Sequence, residues 1–413
     1  MGSSDNVTRR KFVQGGAALA AATTFDIVKA ESVRGTTANS MVEFGWVGCG
    51  GQGTRDAGLL EQTKMAKIVT VAVYFQDQLD KAKSKFSVDG KRAFKGIDAY
   101  KSVMDSKCDA VLLTTPPGFR PEHFRAAVAA KKHVYMEKPI AVDVAGCHVI
   151  DEAHKKALAS KLSIVVGLQR HYSKAYRKCK ELIDSGAIGD IVMAHSAWDQ
   201  GDLWRREKRD QMPSQLDYEI RNWYYFTWLS GDHIVEQNIH NIDVINWMVG
   251  QHPVRAYGSG STMKRKDIGH IFDNFNIVYE YANGVTSNNT CIQVDGVAGD
   301  ISETIRGTKG TFTTTAGKGG TGGTRIEGVY NRKTNDTPLI YKYEGRDDLH
   351  YDQEAAAMVA SVLGTGEFRD DTRYGLDSTF TAIMGREAAY RKEIMDWNKL
   401  WASKHKLTFR TQA

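Results

Sequence analysis

The sequence predicts an α/β fold in two parts: a Rossmann-type doubly wound parallel sheet over residues 41–168, then an α+β domain over residues 169–395 built on an open, mostly antiparallel sheet. Three observations carry this. From Met41 onward, apolar strand-like runs alternate with helix-patterned segments, as strand–helix–strand units require. A Gly48-x-Gly50-x-x-Gly53 loop sits between the first strand and the first helix. In the second half, strand-like runs follow one another through turns such as Asn283-Gly284, which is antiparallel connectivity. With 413 residues the chain exceeds one ordinary core, so two domains are expected.

Taken in order, residues 1–35 read as a signal and linker. Arg9-Arg10-Lys11-Phe12 leads into an alanine-rich, mildly apolar run, the pattern of a twin-arginine export signal, so a periplasmic or extracytoplasmic location is expected. The apolar run falls short of the ~18 residues a membrane span needs, so no anchor is expected. Strands are predicted at 42–47, 68–75, 110–114, 133–136 and 163–167. Helices between them run from the glycine loop to about Leu60, through Asp77, Leu79 and Ala82, and over 100–104, 122–130 and 144–158. The second domain carries helices at 174–185 and 234–249, and strands at 275–281, 285–294 and 302–306. A glycine-rich turn at 318–324 follows; helices at 351–363 and 378–390 pack back on the body, and 396–413 forms a tail.

Composition narrows the partners. The net charge of +6 is spread without a long basic block, so no nucleic-acid partner is expected, while neutral or anionic small ligands fit. The five cysteines, at 49, 108, 147, 179 and 291, are odd in number and show no CxxC spacing. Neither a disulfide framework nor a zinc ribbon follows, and free thiols are expected.

The glycine loop is the first chemical feature. Missing side chains at Gly48, Gly50, Gly51 and Gly53 let backbone approach a pyrophosphate, with Gln52 in the same turn, and the helix N-terminus stabilises the charge. A dinucleotide is the expected ligand. The acid expected at the end of the second strand is absent, because positions 72–76 read Ala-Val-Tyr-Phe-Gln; Asp77 is the nearest substitute. No arginine lies at that tip either, so NAD is preferred and NADP is the alternative. Thr115 and Pro116 follow the strand at 110–114 and line the groove, with His123 in support at the next helix.

Lys138 is the second feature. In Glu137-Lys138-Pro139 it follows an apolar run and projects from the carboxyl edge of the sheet, where open α/β sheets bind ligands. An ammonium in a partly dry cleft exchanges a proton with a hydroxyl; alternatively it pairs with Glu137 at the surface. Third, Glu236, His240 and Asp243 fall at i, i+4 and i+7 of the helix at 234–249, one polar line among apolar positions. A buried polar network and proton transfer both fit, with His240 as acid/base and Glu236 orienting it or the substrate. A metal needs a third ligand and HExxH spacing, neither present, so none is expected. Between these features lie Trp198, Trp204, Arg205, Arg221, Asn222, Trp223, Tyr224, Tyr225 and Trp228. Aromatic faces interleaved with Arg and Asn suit a sugar, or a core or oligomer contact.

With these pieces assembled, the chain after the leader resembles the Gfo/Idh/MocA family, the relatives of glucose-fructose oxidoreductase and inositol dehydrogenase. The resemblance rests on the glycine loop, Glu137-Lys138-Pro139, Gln169-Arg170 with Tyr172, the helix bearing His240 and Asp243, and the segment STFTAIMGREAAY from Ser378. It implies an NAD(P)-dependent oxidoreductase acting on a secondary hydroxyl of a sugar or glycoside. Lys138 and His240 would act at that hydroxyl and Glu236 would position or deprotonate it, although the family's usual residue there is Asp. Glu137, Lys138, Gln169 and Arg170 would lie against the cofactor, and Tyr172, Arg221, Asn222, Trp223, Tyr224 and Asp243 against the carbohydrate. The resemblance also implies dimer or tetramer contacts through the second sheet. An exported member must recycle tightly held cofactor on the enzyme. The alternatives are an NAD-dependent glycoside hydrolase working by oxidation, elimination, hydration and re-reduction, and a non-catalytic sugar-binding relative.

Overall fold

The computed structural model describes residues 41–315, 323–345 and 350–409; the export motif and most of the glycine-rich turn at 318–324 lie outside the described residues. In the first half, β1 (Val42–Val47), α1 (Gly51–Gln62), β2 (Ala66–Val73), α2 (Gln76–Lys85), β3 (Ala93–Lys95), α3 (Tyr100–Asp105), β4 (Ala110–Leu113), α4 (Arg120–Ala129), β5 (His133–Met136), α5 (Val144–Ala159) and β6 (Ile164–Val166) alternate as expected. The six strands form a parallel sheet in the order β3-β2-β1-β4-β5-β6. All four β4 residues are buried, the mark of a strand covered on both faces. The order reverses between β1 and β4, so their carboxyl ends open a crevice there.

The second half contains α6 (Lys174–Asp184), β7 (Ile191–Gln200), α7 (Gln215–Arg221), α8 (Thr227–Ser230), α9 (His233–Glu236) and α10 (Ile239–Val249). Strands β8 (Pro253–Ser261), β9 (Asn274–Tyr281), β10 (Thr286–Gln293), β11 (Asp300–Gly307), β12 (Gly310–Thr315), β13 (Arg325–Gly328) and β14 (Leu339–Lys342) follow, then α11 (His350–Leu363), α12 (Thr372–Arg391), β15 (Met395–Asp396) and α13 (Trp397–Ala402). The sheet has nine strands, in the order β14-β13-β12-β11-β7-β10-β9-β8-β15. It is mostly antiparallel, but β7 runs parallel to β10. Along β9 and β10 buried residues alternate with more exposed ones, as a sheet with one packed face requires.

Three details depart from the sequence expectation. The helix predicted at 234–249 is two helices, α9 and α10, broken at Gln237-Asn238, so Glu236, His240 and Asp243 do not lie on one continuous helical line. Asparagine favours a cap over a helix interior, and the Asn238 side chain turns away to the Thr290 carbonyl at 3.4 Å. Second, residues 350–371 return to the first sheet. Ala355, Met358, Val359 and Val362 of α11 share a core with Trp46, Ala57 and Leu60, and Ile164 of β6 exchanges backbone hydrogen bonds with Arg369 and Asp371 at 2.8 and 3.0 Å. Third, the C-terminal stretch is packed: Trp397 stacks on His252 at 3.7 Å, and the Leu407 N–H donates to the Asp143 carboxylate at 2.7 Å. The five cysteines are free and buried, and among the described residues no helix is long and apolar enough to cross a membrane.

Candidate active site

The glycine loop divides its labour. At Gly48 φ is +97°, and a Cβ there would meet the Thr115 nitrogen at 2.4 Å. At Gly53 a Cβ would sit 2.2 Å from Thr114 Oγ1 and 2.7 Å from the Gly48 carbonyl, so this glycine lets α1 close onto the end of β4. Gly50 and Gly51 are different: a Cβ at either would meet nothing within 4 Å. They face open space at the start of α1, whose N-cap residue Gly50 has no side chain to cap its first N–H groups. That leaves an anion-binding helix terminus facing a cavity.

The opposite end of the cavity is built from β5 and from α9 and α10. Past the end of β5, Glu137 is buried; its Oε2 accepts from the Lys138 N–H at 3.1 Å and its Oε1 from Gln52 Nε2 at 3.3 Å. Gly167 makes room for it, since a Cβ there would lie 2.7 Å from the carboxylate. Burial raises the Glu137 pKa, and the Lys138 and Arg120 cations oppose the rise. The Lys138 ammonium does not pair with Glu137. It reaches across to donate to the Glu236 carbonyl at 2.6 Å and to Glu236 Oε1 at 3.0 Å, with the two side chains only 10% and 9% exposed. Burial, and then the Lys138 and Arg170 charges, hold the His240 imidazole well below its usual range, so it is neutral. Its ring stacks on Trp198 at 5.5 Å, and its Nδ1, Glu236 Oε2 and the Tyr224 hydroxyl are buried without partners. A buried polar atom left unpaired costs about 1–3 kcal/mol.

One cavity of about 550 Å³ joins the two ends. Of the residues expected from sequence, Gly48, Gly50, Gly51, Gln52 and Gly53 line one part. Thr115, Pro116, His123, Glu137, Lys138 and Gln169 line the middle and the reactive end, and Glu236, His240, Trp223, Tyr224 and Arg221 complete the wall. His123 bonds Thr115 Oγ1 through Nδ1 at 3.1 Å and packs against Tyr100 at 4.3 Å; burial pushes its pKa to about 3, so it supports the loop as a neutral ring.

Five expected residues do not line the cavity, because each is engaged elsewhere. Arg170 forms an ion pair with Glu303 and donates to Asn241 Oδ1 at 2.7 Å. The Tyr172 hydroxyl donates to Asp371 at 2.6 Å. Asn222 holds the Arg206 N–H and the Glu207 carbonyl at 2.8 and 3.0 Å, and Asp243 accepts from Ser378 and lies 2.9 Å from His171 Nε2. Asp77 is occupied by Arg221, whose guanidinium donates to both carboxylate oxygens at 2.8 and 3.2 Å. Arg221, expected against the carbohydrate, therefore sits beside the tip of β2, where sequence alone found no arginine.

Arg120 was missed. It lies at the start of α4, is 2% exposed, lines the cavity, and donates to the Pro139 and Thr115 carbonyls. It ties the turn that carries Lys138 to the end of β4. Burial lowers the guanidinium to about 10, and the nearby Glu137 and Glu236 charges oppose this. Its position directly before Pro121, at a helix start that follows a strand, was the available signal. Among the described residues no cluster of three or more His, Cys, Asp or Glu side chains could hold a metal.

Residues 42–163 match the family model described as oxidoreductase family, NAD-binding Rossmann fold, and residues 176–313 match the GFO/IDH/MocA C-terminal domain. Myo-inositol 2-dehydrogenase of Thermotoga maritima is 28% identical over 232 residues, covering 56% of this chain and 62% of that protein. Inositol 2-dehydrogenase of Burkholderia cenocepacia is 28% identical over 245 residues, 59% and 65% respectively, so the chain spans just under two thirds of the curated relatives it matches. Among solved structures, apo scyllo-inositol dehydrogenase of Lactobacillus casei superposes with a TM-score of 0.66 at 20% identity, over 87% of this chain and 99% of that one. The WlbA dehydrogenase of Bordetella pertussis, in complex with NADH and UDP-GlcNAcA, gives 0.65 at 20% identity over 86% and 98%. Through both of its domains, the chain belongs to the Gfo/Idh/MocA family.

Proposed function

We propose that the protein oxidises a secondary hydroxyl of a sugar or polyol, with hydride passing to a nicotinamide dinucleotide that stays bound and is recycled on the enzyme. The observation that supports this best is the single cavity running from the uncapped N-terminus of α1 to the Lys138–Glu236 pair beside neutral His240. The chain fits such a cofactor: the space over Gly50 and Gly51 is open, and the polar residues Lys138, Glu236 and His240 line the far end. NAD is preferred, because the arginine at the tip of β2, Arg221, is already bound by Asp77.

When bound, the dinucleotide supplies the hydride acceptor. The chain's residues handle the proton and the charge. Lys138 spends two of its three N–H donors on Glu236, leaving one for the substrate oxygen, where it stabilises negative charge as the hydroxyl ionises. The Glu236 carboxylate and the neutral His240 imidazole, both in the cavity wall, are the acceptors at hand for the hydroxyl proton. Trp198 and Trp223 offer apolar faces to the sugar ring. Lys138 and His240 set in one cavity weigh against a non-catalytic sugar-binding role.

The test is single-turnover reduction of bound NAD by myo-inositol and by common aldoses, followed by nicotinamide absorbance. One reduction per chain that then stalls until a keto-sugar is added is expected; continuous turnover on free NAD without an acceptor removes the recycling step. The glycoside hydrolase reading has one observation in its favour. The buried, unpartnered Tyr224 hydroxyl, kept protonated by burial, adds an acid–base group that a simple dehydrogenation does not need. Nitrophenyl glycosides incubated without added cofactor decide it: nitrophenol release over many turnovers favours the cycle. Export of the folded protein by the segment at 8–25, and self-association through the second sheet, where Val192 and Met193 of β7 are 55% and 45% exposed, belong to the same proposal. Cell fractionation and light scattering test these two points.

A further inference from the structure

We propose that Arg221, supplied by the second domain, is the clamp on the adenosine half of the dinucleotide, and that it sets how slowly the cofactor leaves. This rests on the reading that the cavity holds such a nucleotide.

The direction of the nucleotide follows from the fold. The pyrophosphate belongs over Gly50 and Gly51, and the reactive end is marked by Lys138 beyond β5, so the adenosine half lies toward the tip of β2. The cavity is lined there by Tyr74, Phe75, Gln78 and Arg221. An acidic residue from β2 would ordinarily hold the ribose at this place. Here the positions carry aromatic rings, and Asp77, one turn on, is outside the lining.

Arg221 fills the gap. Its guanidinium lies 3.7 Å from the Phe75 ring centre, and both oxygens of Asp77 hold it at 2.8 and 3.2 Å. A planar fork fixed by an edge-on carboxylate and by a ring against one face is pre-organised. Asp77 takes two of the five N–H donors of Arg221, which leaves N–H groups for a ribose hydroxyl and, with Phe75 on one side, the other guanidinium face for the adenine. Asp77 serves to hold Arg221; the arginine, reaching across from α7, does the binding.

This contact joins the two domains. Asp217 of the same helix accepts from the Tyr74 hydroxyl at 2.9 Å, and Ile220 belongs to an aromatic cluster that packs on Tyr74, Phe75 and Phe119. The nucleotide's adenosine end is thereby roofed by residues from a different domain than the glycine loop beneath it. Release requires α7 to part from the tip of β2, which is a physical basis for retention.

The experiment loads the full chain with NADH, chases with excess NAD, and follows loss of nicotinamide fluorescence in wild type, Arg221→Ala and Arg221→Lys, with circular dichroism melting to show that each variant is folded. Loss of one guanidinium stack and one hydrogen bond predicts release faster by about tenfold to a hundredfold in Arg221→Ala. Arg221→Lys keeps the charge but not the fork, so it should release nearly as fast as alanine. Folded variants that release NADH at the wild-type rate overturn the clamp and leave the cofactor assignment standing. Wild-type protein that binds no NADH overturns both.

Discussion

The glycine loop makes two separable demands, and substituting alanine at two of its positions should separate them. At Gly53 an added methyl group would lie 2.2 Å from Thr114 Oγ1. That hydroxyl cannot swing aside freely, because it accepts from Trp46 Nε1 at 2.9 Å and donates to the Gly48 carbonyl at 2.6 Å. Overpacking costs about 1–3 kcal/mol and a strained or lost hydrogen bond about 1 kcal/mol more, so Gly53→Ala should lose about 2–4 kcal/mol of stability. At Gly50 the backbone sits at φ −82° and ψ −169°, which alanine adopts readily, and the methyl group would meet no atom within 4 Å. Gly50→Ala should match or exceed wild-type stability by up to about 1 kcal/mol. The space it enters is where backbone must approach the pyrophosphate, so its NADH affinity should fall about tenfold or more, equivalent to about 1.4 kcal/mol. Urea unfolding and NADH fluorescence titration measure the two quantities independently. Gly50→Ala with wild-type NADH affinity would refute the placement of the phosphates over this loop, whatever its stability.

Other perturbations reach other parts of the molecule. Lys138→Met keeps the apolar stem but strands the Glu236 carboxylate; turnover should fall about 10²–10⁴-fold in single-turnover assays, and unchanged turnover would remove Lys138 from the chemistry. His233 is fully buried with both ring nitrogens unpartnered, so His233→Leu should stabilise the fold by about 1–3 kcal/mol at pH 7, read by urea unfolding. Burial lowers the His233 pKa from 6.5 to about 3, so folding opposes its protonation. That contribution is intact above pH 6.5 and is lost as pH falls toward 3; the advantage of the leucine variant should grow by about 1.4 kcal/mol per pH unit across that window. A constant difference between the two proteins would show that His233 titrates normally. Gly167→Ala would place a methyl group 2.7 Å from the Glu137 carboxylate, disturbing the residue that holds the Lys138 N–H and Gln52. Weakened NADH binding together with slowed hydride transfer is expected in a stopped-flow assay.

The first domain was legible because its signals are local. Strand, glycine loop and helix succeed one another within two dozen residues, and the buried strands β4 and β6 show as unbroken apolar runs. Lys138, Glu236 and His240 were legible as chemistry, though for a reason the structure revises: the helical spacing proposed for Glu236 and His240 is interrupted at Gln237-Asn238, and the two converge because both helix ends face the same cavity. Contacts set by tertiary structure were not legible. Arg221 and Asp77 are 144 residues apart, and nothing near either residue announces the pair. Arg170, Tyr172 and Asp243 were read as ligand contacts from the family resemblance, yet each neutralises or satisfies a neighbour in the interior. Strand β7 was missed because Ile191–Gln200 mixes small, polar and aromatic residues, and its place between β10 and β11 is fixed by pairing with distant strands.

The return of residues 350–371 to the first sheet has a consequence for how the protein is made. The apolar side of α1 that packs on Met358 and Val359, and the edge of β6 that pairs with Arg369 and Asp371, stay uncovered until residues 350–371 have left the ribosome. The nucleotide-binding half is completed by residues that follow most of the second domain. A chain that stops short of residue 350 carries every glycine of the phosphate loop and still lacks the helix that seats it, so truncated products should be sticky and empty of cofactor.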